Sequence, residues 1–251
     1  MPAVSALRQI QFIADDFGLG PRTNEAILLA HRDGVLTGAS LMLGQSGSDE
    51  AVRIAAATPG LEVGWHLHVC DSRPVTCDRW PWGDSPFAAA IMVAVFPSAR
   101  RLVRDELVAQ WGLLGRTGVR CRFINAHHHL HLHPVVWRIV VDLVARSTEV
   151  WIRGGKFRRF GTRERVVAKL TRLLGNLHRS FGPSQQGLRT PDSVWGVDRL
   201  HAMDADEVIQ VAGTLSAGLH EFVFHPGGVP EGNPDPDLEA LIRLRTVMGL
   251  R

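Results

Sequence analysis

Cysteine is scarce in this chain of 251 residues: Cys70, Cys77 and Cys121 are the whole complement, and no two of them form a CxxC pair. That argues against a disulfide-stapled scaffold or a thiolate zinc finger. No apolar run is long enough to span a bilayer; the longest, Phe87 to Phe96, is uncharged and covers about half a span. The N-terminus carries one arginine and then a strand-like stretch, so a secretory leader is not expected. Neither sign of charge dominates, with 28 Lys and Arg against 25 Asp and Glu. The pI near 9.1 gives a weak leaning toward an anionic partner or surface. No nucleic-acid-binding motif accompanies it, so no nucleic-acid partner is expected. What is plentiful is apolar: 45% of the residues are hydrophobic, ample for a core and inconsistent with wholesale disorder. The composition reads as a cytoplasmic protein, with the inner membrane as a peripheral station if a lipid is involved.

The hydrophobic pattern alternates between two periods. Ile10–Ala14 is a short apolar run that delivers Asp15-Asp16 into a following loop, and Thr23–Asp33 has helical spacing. Val35–Leu43 reads as a second strand, and Ser48 as the cap of a helix from Asp49 to Thr58. Leu61–Val69 alternates cleanly, with Glu62, Gly64, His66 and His68 on one face. Residues 71–87 read as a long loop, Arg100–Leu114 as a helix, and Arg122–Asn125 as a brief strand. Pro134 opens a helix through Arg146. Val150–Ile152 and Phe222–Phe224 are strand candidates ending at Arg153 and His225; TPDSVWG reads as a loop, and a helix from Asp204 to Ser216 precedes the last strand. Repeated strand–polar residue–helix units predict an α/β fold, a distorted (β/α) barrel of mainly parallel strands. With no tandem repeat and no linker, residues 1–251 are expected to form a single domain.

The chemistry concentrates in histidine. Five of the twelve histidines lie within His127–His133 (HHHLHLH), inside the chain and directly after a strand. Neutral imidazole is a good zinc ligand, and so dense a cluster invites a metal. Not all five can bind one ion, since a four-coordinate catalytic site takes three protein ligands and keeps one position open. Asp15-Asp16 supplies carboxylates. Adjacent side chains diverge, so one can hold the metal while the other serves as general base. His66 and one histidine of the cluster would complete the set.

The motifs IADDFGLG, VGWHLHV, NAHHHLHLHP and FVFHP, in this order over residues 10–228, resemble the YdjC-like family of carbohydrate deacetylases, the group of chitooligosaccharide deacetylases. NAHHHLHLHP resembles most the hopanoid-biosynthesis branch, whose members deacetylate an N-acetylglucosaminyl hopanoid, a sugar-headed triterpenoid lipid. The resemblance implies a metal-dependent hydrolase that releases acetate and a free amine. It implies Asp15 as general base, Asp16, His66 and His127 as ligands of one divalent metal, and His225 as general acid. Mixed His/Asp ligation favours zinc, with magnesium or nickel as alternatives. Many relatives have Asp-Ser before the cluster where this chain has Asn125-Ala126, which puts a carboxylate's supporting role there in doubt. Four further residues are substrate-contact candidates: Arg153 and Asn125 at strand ends, His68 two residues past His66, and Trp82 as a stacking platform.

Lys156 to Arg179 carries eight basic residues and one acid, Glu164, around apolar positions of helical spacing. Such a helix can lie on an anionic membrane or form the solvated outer layer of a barrel. With the apolar stretch 87–96, read as a lid or a core helix, it leans toward a glycolipid substrate. Chitobiose deacetylation, metal-dependent phosphoester hydrolysis and a non-catalytic lipid- or metal-binding role remain as rivals.

Overall fold

The computed structural model describes residues 8–145, 150–160, 169 and 188–249. Eight strands alternate with helices: β1 (Arg8–Phe17), α1 (Pro21–Arg32), β2 (Gly38–Leu41), α2 (Ser48–Ala57), β3 (Glu62–Leu67), α3 (Pro86–Val95), α4 (Pro97–Thr117), β4 (Cys121–Ala126), a 3-10 segment (His127–Leu132), α5 (Pro134–Val144), β5 (Trp151–Ile152), β6 (Lys156–Phe157), β7 (Ser193–Trp195), α6 (Ala205–Thr214), β8 (Gly218–Phe224) and α7 (Pro236–Val247). The strands hydrogen-bond in the order β5-β4-β3-β2-β1-β8-β7-β6. Pairing is parallel between β1 and β8, β3 and β4, β6 and β7, and β7 and β8. This is the predicted α/β distorted-barrel class.

Compactness divides the chain into two units: residues 1–14, 25–38 and 152–251, and residues 15–24 and 39–151. In the first, Phe12, Ile13, Phe222, Val223 and Phe224 line the paired strands β1 and β8, and Val208, Leu241 and Leu244 pack from the helices, all buried. In the second, Leu41, Trp65, Phe123 and Ile124 of the strands and Val103 and Leu107 of α4 are buried. Each such side chain contributes about 1.5–3 kcal/mol by leaving water.

Several sequence-based boundaries shift. β1 runs on through Asp15 and Asp16, so the two carboxylates sit within the strand's last turn of pleat rather than in a loop. Ser48 does not cap α2. The cap position is Gly47, and Ser48 Oγ accepts from Gln45 N at 2.8 Å and donates to the Met42 carbonyl at 2.9 Å, tying the preceding turn. Alternation in β3 does not separate a wet face from a dry one, because helices cover both sides of a parallel sheet; Val63 to Leu67 are all buried. TPDSVWG contains the short strand β7, and α7 has no counterpart in the sequence reading. α7 carries a weak amphipathic pattern, and tertiary burial of Ala240, Leu241 and Leu244 fixes it.

The stretch 87–96 forms a helix that is only partly buried. α3 buries Ala89 and Val93 and leaves Phe87, Ile91 and Val95 exposed at 66%, 46% and 59%. Among the described residues no single helix is long and apolar enough to cross a membrane. The basic segment read at 156–179 lies largely outside the described residues; of it, Lys156 is exposed at the start of β6.

Candidate active site

Three side chains distant in sequence converge in the second unit. Asp16 is the last but one residue of β1, His66 lies on β3, and His127 follows β4 directly. The β3–β4 register sets His66 beside Asn125 and Leu67 beside Ala126, so His127 begins one step beyond the paired strands. Gly64, in the same strand as His66, is required by this pairing: a Cβ there would come within 2.3 Å of the Phe123 ring. Gly18 serves the aspartate end. Its φ is +95°, and a Cβ would meet the Met42 carbonyl oxygen at 2.6 Å, so the turn after Asp15-Asp16 demands glycine.

Asp16 Oδ1 is 3.1 Å from His66 Nε2 and 2.8 Å from His127 Nδ1. Asp16 also holds a left-handed backbone, φ 66°, a costly conformation for a non-glycine residue and one that clusters at functional sites. Burial works against its ionisation, yet the neighbouring His127 and His66 outweigh that and hold its carboxyl well below the usual range. Burial opposes protonation of His127 too, but Asp16, then Asp71 and Asp15, raise its pKa above the ordinary imidazole value.

The donor set fits a cation. His66 Nδ1 lies 2.6 Å from Asn125 Oδ1 and donates its proton there, which in a neutral ring leaves the lone pair on Nε2, aimed at the Asp16 carboxylate. Two lone-pair-bearing atoms facing each other at 3.1 Å are reconciled by a positive charge between them. Ligand atoms of Asp16, His66 and His127 all lie within 4.8 Å of one another.

Asp15 is the buried neighbour. Its Oδ1 accepts from Ser40 Oγ at 2.8 Å and from Asn125 Nδ2 at 2.9 Å. Asn125 thus bridges Asp15 and His66, accepting from one and donating to the other. An aspartate could accept from His66 but could not donate to Asp15, so the amide is the side chain that serves both neighbours here. The sequence reading of Asn125 as a substrate contact gives way to this supporting role: it is fully buried.

The remaining sequence candidates are placed as follows. His68 is fully buried, with Nε2 2.9 Å from the Leu43 carbonyl and Nδ1 2.9 Å from Ser72 Oγ; it ties loops together and does not line a groove. Trp82 is buried too, its indole N–H donating to the Val69 carbonyl at 2.7 Å and its ring stacked on Trp80 at 5.5 Å, so it is a core residue. Arg153, in the first unit, is fully buried and pairs with Glu221 of β8 at 2.7 Å. A guanidinium committed to a core ion pair is not presented to a sugar. His225 directly follows β8 in that same unit; its backbone N–H donates to Asp237 Oδ2 at 2.7 Å. Asp237 also accepts from Met203 N at 3.0 Å, and so pins the loop after β8.

The cluster histidines divide their work. His128 Nε2 lies 2.9 Å from Asp71 Oδ2, His131 is buried, and His133 accepts from Val135 N at 3.3 Å as the cap of α5. Ser40 and Asp71 were not legible beforehand. Ser40 sits in a strand of small residues with no distinguishing mark. Asp71 follows a predicted strand closely, and that strand-end position was the one available signal.

His68 gives a stability prediction. Burial is the main cause that lowers its pKa from 6.5 to about 4, partly offset by the Leu43 hydrogen bond and Glu106. The unfolded chain therefore takes up a proton at a higher pH than the folded one. Stability is full above pH 6.5, falls as pH drops toward 4, and levels off below that, a total of about 3 kcal/mol. Urea midpoints measured between pH 7.5 and 4.5 are expected to fall more in the wild type than in His68→Gln, which keeps a donor for Leu43 but does not titrate. Equal slopes would show that His68 is not the titrating group.

Residues 9–245 match the YdjC-like protein family. The chain belongs to that family. This YdjC-like chain is 35% identical over 156 residues to a carbohydrate deacetylase of Brevibacillus brevis, covering 61% of the chain and 60% of that protein. It is 33% identical over 150 residues to a carbohydrate deacetylase of Vibrio vulnificus, with 58% of each covered. The matched region thus spans about three fifths of these curated relatives. A solved structure from Enterococcus faecalis, named provisionally as a cellobiose-phosphate cleavage protein, superposes with a TM-score of 0.65 at 18% identity, covering 97% of this chain and 94% of the other. That likeness shows a shared fold.

Proposed function

We propose that this YdjC-like protein hydrolyses the N-acetyl group of an amino sugar, giving acetate and a free amine. The observation that carries the reading is the convergence of Asp16, His66 and His127 beside a second, separately held carboxylate, Asp15. The relatives named carbohydrate deacetylases support the same class.

Asp16, His66 and His127 would hold one divalent cation, and the mixed carboxylate–imidazole set favours zinc. Bound there, the cation supplies Lewis-acid polarisation of an amide carbonyl and lowers the pKa of water. The protein's own groups do the rest. Asp15 is kept in one orientation by Ser40 and Asn125 and takes the proton of the attacking water. Asn125 also fixes the His66 ring, so base and ligand are positioned by one amide. His225 protonates the departing sugar nitrogen; this assignment stands on the family resemblance.

The finer reading is a glycolipid, an N-acetylglucosaminyl hopanoid such as the bacteriohopanetetrol derivative, handled in the cytoplasm at the inner membrane. Its support is the wording NAHHHLHLHP and the exposed apolar edge of α3, which suits a greasy aglycone or a membrane surface. Incubation with N-acetylglucosaminyl bacteriohopanetetrol and, separately, with chitobiose, followed by mass spectrometry, tests both levels. Loss of one acetyl group from the lipid is the expected result. Loss from chitobiose alone would retain the deacetylase and discard the lipid. Loss from neither would discard the reading.

A further inference from the structure

His127 presents a ring nitrogen to each of two groups. Nδ1 faces Asp16 at 2.8 Å, while Nε2 faces Asp71 Oδ2 at 3.8 Å. On that second side His128 Nε2 lies 2.9 Å from the same Asp71 oxygen, and the two histidine rings are 4.2 Å apart. Ligand atoms of Asp71, His127 and His128 all fall within 4.8 Å of one another. This is again one carboxylate and two imidazoles, but more open to water than the inner trio: the Asp71 side chain is half exposed and that of His128 about a third.

We propose that Asp71, His128 and Nε2 of His127 form an outer site for a borderline divalent cation such as zinc, and that filling it works against the inner site. The chemistry of one ring sets the sign. A neutral imidazole has a single lone pair and a single N–H. An ion on Nε2 obliges the proton to sit on Nδ1. Nδ1 can then only donate a hydrogen bond to Asp16 and cannot ligate. The inner site drops from three protein ligands to two, with no net gain or loss of protons in the tautomer change. By linkage the effect is reciprocal: an ion on Nδ1 weakens the outer site equally. Exposure makes the outer site the weaker of the two, so it fills when the cation is in excess. The antagonism, though not the outer site itself, rests on reading Asp16, His66 and His127 as a cation site.

Zinc titration of the metal-free full chain, read by equilibrium dialysis and elemental analysis, tests this without any assay of turnover. The wild type is expected to bind two equivalents, the second more weakly. His128→Gln and Asp71→Asn should keep the tight equivalent and weaken the second at least about tenfold. Asp16→Ala should lose the tight class and bind the outer ion more strongly than the wild type does. A wild type that saturates at one equivalent overturns the outer site, as does a second equivalent unchanged in both outer variants. Loss of both classes in Asp16→Ala overturns it also, because the outer ligands would then be no separate site. If the outer variants lose zinc while Asp16→Ala alters nothing, the outer site is upheld, and the inner cation reading and the antagonism fall together.

Discussion

Asp15→Asn is expected to lower deacetylation about 10²–10⁴-fold, the usual contribution of a positioned proton-transfer group, while the protein still binds its cation. The geometry separates the two carboxylates. Asp15 Oδ1 is held by Ser40 and Asn125, whereas Asp16 Oδ1 faces His66 and His127. Asparagine fills nearly the same volume but cannot accept the proton. On the proposed reading Asp16→Ala and His127→Ala are expected to behave differently, each removing one of the three proposed ligands and the cation with it. Metal content by elemental analysis, run beside acetate release, distinguishes the two kinds of loss. If Asp15→Asn stays fully active, or if His127→Ala keeps both metal and turnover, the division of roles is wrong.

Glu221→Ala is expected to destabilise the fold by about 3–5 kcal/mol, the cost of breaking a buried ion pair from one side. Both side chains of the Arg153–Glu221 pair are fully buried, with Arg153 Nε 2.8 Å and its terminal nitrogen 2.7 Å from the same Glu221 oxygen. Removing the carboxylate takes the Glu221 partner from a buried guanidinium that cannot neutralise itself by losing a proton at accessible pH. Replacing both residues by apolar ones of similar volume should recover much of the loss, since the paired charges bring little net stability over a packed apolar core. Denaturant unfolding of the two single variants and the double variant measures this. A single-variant loss near zero would show that the pair is solvated and not buried.

The strand and helix alternation was legible because burial of apolar surface imposes its period on the sequence. Ile10–Ala14, Leu61–Val69 and Phe222–Phe224 all became strands, and Pro134 opened α5 as its fixed φ predicts. Two short strands were not legible: β6 and β7 have two and three residues, too few for any period to declare itself, whereas β5 was read from the apolar run Val150–Ile152. The roles of Arg153, His68 and Trp82 were misjudged for a common reason. A polar or aromatic residue near a strand end looks the same in sequence whether it faces a ligand or a buried partner.

Residue chemistry alone supplied the groups that the proposed reaction calls for: paired aspartates and spaced histidines in a fixed motif order. Tertiary structure decided which of them meet. Parallel pairing of β3 with β4 put His66 beside Asn125, and the left-handed turn at Asp16 brought its carboxylate to both imidazoles. Four of the five clustered histidines were thereby sorted into an Asp16 neighbour, an Asp71 partner, a buried ring and a helix cap. No one-dimensional pattern could make that assignment, because ring orientation follows from which neighbours the fold supplies to each nitrogen.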